Sequence, residues 1–339
     1  MKKGLLLINL GTPDNPDVRS VRRYLREFLA DKRVIALPAP LRYLLLYGII
    51  LPFRAPKTAK AYQSIWTSNG SPLKLNSENL LKKIQDRLNN DVIVSLGMRY
   101  GTPSIQTALE SLEKCSEITV LPLYPQYSEA TTQSSIEKVH DLLADKPTRS
   151  IRIIQDFHDH PAFINAQAEL IKPYLTGHDY VLFSYHGLPE QHIIQSGCKS
   201  VCKTPCPITT ERNSHCYRAQ CYQTTRCIAQ QLQLNDEHHS TSFQSRLGKT
   251  PWIQPYTDEV LQTLAQQGIK RLAIACPSFV SDCLETLEEI AIRAKQQWLT
   301  LGGSQLTLIP CLNDNDVWVD AILAITGYHS SVVKSGFSI

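Results

Sequence analysis

The sequence lacks a long hydrophobic run, a nucleotide-binding loop and a block of like charge. The most apolar later segment, residues 41–53, is interrupted by Arg42 and closed by Pro52, so it is shorter than the roughly 20 apolar residues that a membrane-spanning helix needs. Residues 9–13 hold one glycine where a dinucleotide-binding loop has three, and there is no Walker A sequence. These absences disfavour a membrane-spanning protein and disfavour nicotinamide or nucleotide chemistry.

The charged residues are nearly balanced and scattered. There are 35 Lys and Arg against 31 Asp and Glu, and the basic residues are scattered over helical stretches such as 21–30 without forming a basic block with interleaved aromatics, so we expect no nucleic-acid partner. The N-terminal apolar run is short and leads into a turn at 11–13 without a cleavage site, which indicates a buried strand and not a signal peptide. Ten cysteines without a secretory signal indicate a reducing compartment, the cytoplasm.

Short apolar runs rich in Val, Ile and Leu alternate with segments of helical period. Such runs are typical of strands that are buried on both faces, and the alternation with helices predicts an α/β fold with parallel, doubly wound sheets. The predicted strands are 5–9, 92–96, 118–124, 151–154, 180–185, 272–276 and 306–310.

Two parts of the sequence resemble each other, and 339 residues exceed one comfortable core. LINLGTP at 7–13 is similar to LFSYHGLP at 182–189, which indicates one plan used twice, although chance similarity between short strand–turn–helix units is the alternative. We predict two similar Rossmann-like domains with a cleft between them. Their predicted bounds are 1–160 and 161–312, the second with a cysteine-rich insertion at 190–227, followed by a helix returning to the first domain and a loose tail within 313–339.

His186 follows the apolar run 180–185 directly. In an open parallel sheet, ligands bind outside the carboxyl ends of the strands, so this histidine is predicted to lie at the ligand-binding edge. A neutral imidazole can accept a proton or bind a metal. The alternative is a ring that only holds the turn.

Asp282, Glu285 and Glu289 have spacings of three, four and seven, which place them on one face of a predicted helix beginning near the same edge. An acidic track of this kind could pass protons outward or divalent cations inward. A solvated helix surface is the alternative.

Seven ordered segments resemble ferrochelatases, and specifically the proteobacterial type with a cysteine-rich insertion. The similarity implies a lyase of haem synthesis that inserts Fe(II) into protoporphyrin IX, forms protohaem and releases two protons. It also implies that His186 is the active-site histidine and Glu285 the acidic partner across the porphyrin, both handling metal and protons. The segments are 9–14, 54–73, 97–104, 121–128, 184–189, 243–259 and 276–290.

The resemblance implies further substrate contacts. Arg54 and Ser71 would hold a propionate, against the alternative of a surface arginine and a turn serine. Arg99 and Tyr100 match a pair beside the metal pocket, or they cap the strand before them. Three aromatic residues would clamp the flat ring through their faces or else pack in the core: Tyr127, Trp252 and Phe279.

Four cysteines of the insertion are spaced C-x3-C-x3-C-x9-C: Cys198, Cys202, Cys206 and Cys216. Some relatives carry a [2Fe–2S] cluster, which needs four thiolates, but a tetrahedral zinc site would use the same ligands, and free thiols or a disulfide are the remaining alternative. Pro205 and Pro207 favour a loop. A cluster here would stabilise the protein or act as a sensor. It would not carry electrons for the reaction, because metal chelation is redox-neutral.

Two other functions fit the sequence less well. One is a chelatase for coproporphyrin or another tetrapyrrole, and the other is a non-catalytic two-domain binding protein or iron–sulfur sensor. Residues 41–53 resemble the hydrophobic lip of the family, which favours the less polar protoporphyrin and a peripheral contact with the inner membrane; an ordinary buried helix is the alternative. The oligomeric state is left open by the sequence.

Overall fold

The computed structural model describes residues 2–144, 150–198, 200–246, 248 and 250–329. Within these residues it contains two four-stranded sheets, and every strand pair in them is parallel. The first sheet has the order β2-β1-β3-β4 and the second the order β6-β5-β7-β8. The strands are β1 Lys2–Asn9, β2 Val92–Met98, β3 Cys115–Pro122, β4 Ser150–Ile153, β5 Tyr180–His186, β6 His239–Gln244, β7 Arg271–Ala275 and β8 Gln305–Leu308.

Helices connect the strands and cover the sheets. Three stretches of π-helix interrupt or precede them in the described chain, at Leu46–Ile50, Glu129–Gln133 and Glu289–Ala294. The α-helices are α1 Val18–Ala30, α2 Ala39–Leu45, α3 Leu51–Ile65, α4 Pro72–Arg87, α5 Ile105–Ser111, α6 Ser134–Leu143, α7 Pro161–Ile171, α8 Glu190–Gln195, α9 Tyr217–Leu232, α10 Thr257–Gln266, α11 Leu284–Leu287, α12 Lys295–Thr300 and α13 Asp316–Thr326.

Alternate residues of the central strands belong to different cores. Leu5 and Leu7 of β1 join a large cluster that also contains Phe183 of β5, whereas Leu6 and Ile8 face a separate cluster. Both faces of the strand are therefore covered, as continuous apolar runs predict. The inner faces of the two sheets share one apolar core, and the predicted α/β class with parallel sheets is confirmed.

All seven predicted strands are present, but β6 escaped prediction. Its sequence, HSTSFQ, is mostly polar and contains one large apolar residue, Phe243. The strand is nevertheless buried because its hydroxyls bond to one another and to helices: Ser242 Oγ and Thr257 Oγ1 are 2.9 Å apart, and Thr241 Oγ1 donates to Thr225 Oγ1 at 3.0 Å. A hydrophobicity pattern does not detect a buried strand whose polar side chains are hydrogen-bonded in this way.

The last helix, α13, packs against α4 and α7. Lys83 of α4 lies 3.4 Å from Asp314, and Arg87 of α4 is 3.1 Å from Asp316 and also bonds to Asp320. The division at 160 and 312 stays a prediction, and residues 330–339 of the predicted loose tail lie outside the described residues.

Candidate active site

His186 is the last residue of β5, and its backbone is held on both sides. Its N–H donates to Ser278 Oγ at 3.1 Å, and its carbonyl accepts from the Tyr217 hydroxyl at 2.8 Å. The ring Nδ1 lies 2.6 Å from the carbonyl oxygen of Gly187. Because a carbonyl can only accept, Nδ1 carries the hydrogen, and Nε2 of the neutral ring carries the lone pair.

Two half-buried aromatic rings flank His186. The centroid of Trp252 is 6.3 Å and that of Phe279 is 6.2 Å from the imidazole centroid. Gly187 permits this arrangement, because a β-carbon there would lie 2.8 Å from the Gln244 carbonyl oxygen and 3.2 Å from Trp252 Cε3. The imidazole therefore has two aromatic neighbours at the carboxyl edge of the second sheet, one tilted and one edge-on.

Gln244 connects His186 to Glu285. It lies opposite His186 in the β5–β6 register, its Oε1 accepts from Ser184 Oγ at 2.8 Å, and its Nε2 donates to the Glu285 carbonyl at 2.8 Å. The family resemblance implied that the Glu285 carboxylate lies across the porphyrin from His186. The structure anchors the backbones of both residues to the same sheet edge. Sequence reasoning missed Gln244 because it missed β6.

Helix α3 supplies the neighbouring wall. Burial lowers the pKa of Arg54, and the negative charge of Glu285 opposes that shift. Burial and then Glu285 raise the pKa of Tyr62, and the buried Tyr24 is affected in the same direction. Glu285 thus faces a guanidinium and two phenols from the first half of the chain.

The predicted acidic track does not form one helical face. Asp282 precedes α11, and its buried carboxylate accepts from Asn313 Nδ2 at 2.7 Å and from Thr286 Oγ1 and the Cys311 N–H, each at 3.2 Å. Instead of continuing as one helix, the chain passes from α11 into the π-helix Glu289–Ala294. Asp282 therefore lies outside the helix that holds Glu285, and the wider turn of the π-helix changes the angular position of Glu289 relative to Glu285.

Glu289 has its own partners. Its carboxylate accepts from Ser245 N at 2.8 Å and from Ser245 Oγ at 2.6 Å, and it lies 3.8 Å from Arg293 Nη2. A metal route through this carboxylate stays a prediction.

Arg99 and Tyr100 bond to a buried carboxylate, Asp31. Arg99 Nη2 is 2.6 Å and the Tyr100 hydroxyl 2.9 Å from Asp31 Oδ2, and Ser134 Oγ donates to the same oxygen at 2.7 Å. The Arg99 guanidinium also lies 4.5 Å from the Tyr100 ring centroid. The pair therefore joins the end of β2 to α1 and α6, and sequence reasoning missed Asp31 and Ser134.

Ser71 and Tyr127 have partners away from His186. Ser71 Oγ is buried and 2.9 Å from Thr12 Oγ1. The Tyr127 ring centroid lies 5.1 Å from that of His215 in the insertion, and the backbone N–H of Tyr127 donates to Gln220 Oε1 at 2.6 Å. Of the three predicted clamping rings, the structure brings Trp252 and Phe279 to His186.

The insertion begins with α8, and its described residues 196–198 and 200–216 then lie outside any helix or strand until α9 begins at Tyr217, in keeping with the loop that the prolines predicted. Cys202 and Cys216 both neighbour Cys206, and Arg218 Nη1 donates to Cys206 Sγ at 2.9 Å. The hydrogen bond to Cys216 and then burial raise the pKa of Cys206, while the same bond lowers the pKa of Cys216. In the part of the chain that the structure describes, no three His, Cys, Asp or Glu side chains are arranged to hold a metal, and no disulfide joins these cysteines.

Comparison with known proteins identifies the family. The family model described as Ferrochelatase matches residues 2–329. The chain belongs to the ferrochelatase family. It is 57% identical over 326 residues to the ferrochelatase of Legionella pneumophila strain Lens, covering 96% of this chain and 98% of that protein. It is 50% identical over 328 residues to the ferrochelatase of Coxiella burnetii strain Dugway 5J108-111, with coverages of 95% and 92%.

Solved structures show the same fold at low sequence identity. SirB from Bacillus subtilis with Fe³⁺ superimposes with a TM-score of 0.54 at 11% identity, covering 96% of this chain and 94% of that one. The sirohydrochlorin chelatase SirB from Bacillus subtilis subspecies spizizenii, in complex with cobalt, gives a TM-score of 0.53. Membership in the ferrochelatase family makes the chain an enzyme of haem synthesis, with Fe(II) and a porphyrin as its substrates, as the sequence predicted.

Proposed function

We propose that the protein inserts Fe(II) into protoporphyrin IX, forming protohaem and releasing two protons, with His186 and Glu285 as the reacting groups. The observation that carries this proposal is the His186 ring, whose Nδ1–H is bonded to the Gly187 carbonyl, whose Nε2 bears the lone pair, and whose centroid lies 6.3 Å from that of Trp252 and 6.2 Å from that of Phe279. Gln244 holds the backbone of Glu285 at the same edge. Aromatic side chains beside the histidine suit contact with a planar macrocycle, because aromatic rings favour offset stacking and edge contacts.

Proton removal is assigned to His186. Each of the two pyrrole N–H groups must lose its proton as the nitrogens bond to iron. A neutral imidazole accepts one proton near neutral pH, so His186 would release the first proton to solvent before it takes the second. The hydrogen bond from Nδ1 to Gly187 keeps the accepting nitrogen, Nε2, on the side away from the backbone. Protonation then leaves an imidazolium whose Nδ1–H still donates to the same carbonyl.

Fe(II) delivery is assigned to Glu285, because carboxylate oxygen is a ligand for divalent iron on its way to the ring nitrogens. The charge of Glu285 opposes the fall that burial causes in the pKa of Arg54, which indicates that the two side chains interact. A half-buried guanidinium also gains from a second anion, so we assign Arg54 to a porphyrin propionate through bidentate hydrogen bonds. Ser71 is the weaker propionate candidate because its hydroxyl is buried against Thr12.

The test is anaerobic incubation of the purified protein with Fe(II) and, in parallel, protoporphyrin IX or coproporphyrin. We expect protohaem to form and coprohaem to form more slowly, measured from the porphyrin absorption. Preference for coproporphyrin would replace the proposed substrate with the alternative one. No metalloporphyrin from either substrate would contradict the proposed activity.

A peripheral membrane contact is proposed for the lip segment, residues 41–53. Its side chains expose large apolar surface: Leu44 and Phe53 are each 70% exposed, and Tyr47 and Ile49 are also exposed. No helix in the described ranges is long and apolar enough to cross a bilayer. Exposed apolar side chains on short helices suit burial in the boundary between headgroups and acyl chains. We therefore place the protein in the cytoplasm, against the inner membrane.

For the insertion we propose a [2Fe–2S] cluster on its four predicted cysteines, Cys198, Cys202, Cys206 and Cys216. The support is the proximity of Cys202, Cys206 and Cys216, together with the Arg218 guanidinium at Cys206, whose charge opposes the net rise in the pKa of that thiol. The thiols must move closer together to ligate.

The cluster proposal is tested on protein purified without oxygen. We expect about two iron and two sulfide per chain, and loss of both in Cys206→Ser, with Cys115→Ser as the control because Cys115 is buried in another core. Bound zinc without sulfide would replace the cluster with a zinc site. Absence of both iron and zinc would contradict a metal site and would identify the cysteines as free thiols.

A further inference from the structure

Four arginines project from one face of α1. Arg19, Arg22, Arg23 and Arg26 have spacings of three, four and seven, so they lie along one side of the helix. All four are exposed. They line a cavity of about 520 Å³ whose remaining wall is formed by Tyr47, Leu51 and Pro52 of the lip segment.

The charge of this face is not balanced within the protein. Arg23 forms an ion pair with Asp14 at 3.2 Å, and no ion pair is found for the other three arginines among the described residues. The acidic residues of the helix have other partners, since Asp17 accepts from the Arg19 and Ser20 N–H groups and Glu27 accepts from the Gly101 N–H. Like charges three and four residues apart destabilise a helix. An external anion would relieve that repulsion.

The cavity adjoins exposed apolar surface. Tyr47, which lines the cavity, stacks on Tyr43 at 6.2 Å between centroids, and both rings are exposed. Leu44 and Phe53 of the same lip segment are also exposed. A guanidinium forms bidentate hydrogen bonds with phosphate, while the apolar side chains suit acyl chains. Soluble phosphate would bind the guanidinium groups but would leave the apolar side chains exposed to water.

We propose that this face binds the surface of a bilayer containing anionic phospholipid, with the four arginines contacting headgroup phosphates and the lip segment entering the acyl boundary. The inference rests on the proposed membrane contact and adds its lipid specificity. It is independent of the chelation chemistry.

The experiment is co-sedimentation of the purified full chain with two kinds of vesicle, phosphatidylcholine alone and phosphatidylcholine mixed with phosphatidylglycerol. We expect tighter binding to the mixed vesicles, and weaker binding as salt rises. The double variant Arg22→Gln with Arg26→Gln should lose about fivefold in affinity per arginine, or about thirtyfold together, for the mixed vesicles. The matched control is Lys82→Gln with Lys295→Gln, which removes the same charge from two exposed positions outside the cavity.

The outcomes separate the two proposals. Equal binding of the wild type to both vesicles, full binding by the arginine variant, or an equal loss in the lysine control would overturn the arginine site while the membrane contact stands. Displacement by inorganic phosphate, but not by sodium chloride of equal ionic strength, would assign the site to soluble phosphate and also overturn it. If the wild type binds neither vesicle, the membrane contact itself fails. Leu44→Ser with Phe53→Ser should weaken binding to both vesicles.

Discussion

Replacing His186 with alanine is expected to lower the rate of metalloporphyrin formation by about 10²- to 10⁴-fold, the usual contribution of a positioned general base. The substitution removes the Nε2 lone pair from the imidazole that Trp252 and Phe279 neighbour. The side chain is only half-buried, so the cavity left behind should cost little stability. The measurement is the initial rate with saturating Fe(II) and porphyrin under anaerobic conditions.

The matched control for this variant is His238→Ala, because His238 is exposed in a short turn before β6. It should retain the wild-type rate. Added imidazole should restore part of the activity of His186→Ala, since a free base can enter the space left by the ring. A His186→Ala enzyme as fast as the wild type would contradict a role for the histidine in proton transfer. If the variant also has a lower unfolding midpoint, recovery of activity with added imidazole distinguishes loss of the base from loss of stability.

Replacing Asp31 with asparagine is expected to destabilise the protein by about 3 kcal/mol, because removing one partner of a buried ion pair leaves the other charge uncompensated. The side chains of Asp31 and Arg99 are 9% and 16% exposed. Ser134 and Tyr100 also lose the anionic acceptor of their hydroxyl groups. The measurement is the thermal unfolding midpoint of the wild type and the variant at neutral pH.

The pH dependence identifies the carboxylate as the cause. Burial alone would raise the pKa of Asp31, but hydrogen bonds from the Arg33 N–H, Ser134 and Tyr100, together with the charge of Arg99, outweigh it and hold the pKa below its ordinary value. A lowered pKa contributes stability above the unfolded value of about 3.9, and this contribution is lost as the pH falls through the folded value.

The difference between wild type and Asp31→Asn should therefore be constant near neutral pH and shrink below about pH 4. Asp236→Asn, at an exposed position, is the control and should show no such difference. If the midpoints of Asp31→Asn and the wild type coincide at neutral pH, the network around Arg99 does not stabilise the fold, and the assignment of Arg99 and Tyr100 to the metal pocket regains weight.

The parts of the site that were predictable are those set by local sequence. The position of His186 followed from the apolar run before it, because a strand buried on both faces ends where polar residues reach the sheet edge. Glu285 was found from family similarity, and the structure places it beside the same edge. Trp252 and Phe279 were named as clamping rings, and both flank the histidine.

The parts that escaped prediction depend on tertiary contacts. Asp282 has helical spacing from Glu285, but its carboxylate bonds to Asn313 across the fold, and the helix starts after it. Tyr127 packs against His215 of the insertion, a contact that no local pattern defines, and its predicted contact with the porphyrin stays a prediction. Gln244 lies in a polar strand whose burial depends on hydroxyl pairs from other elements.

The Gln244 amide has a mechanical consequence. Since one side chain joins the strand ending in His186 to the backbone of Glu285, these two groups belong to a single rigid frame, whereas Arg54 belongs to a helix of the other half. A displacement of α3 alone would change the distance between the Arg54 guanidinium and Glu285, because they lie on separate elements, but it would leave the contact between the Gln244 amide and the Glu285 backbone in place. The positions of the His186 and Glu285 backbones are in this way independent of the position of α3.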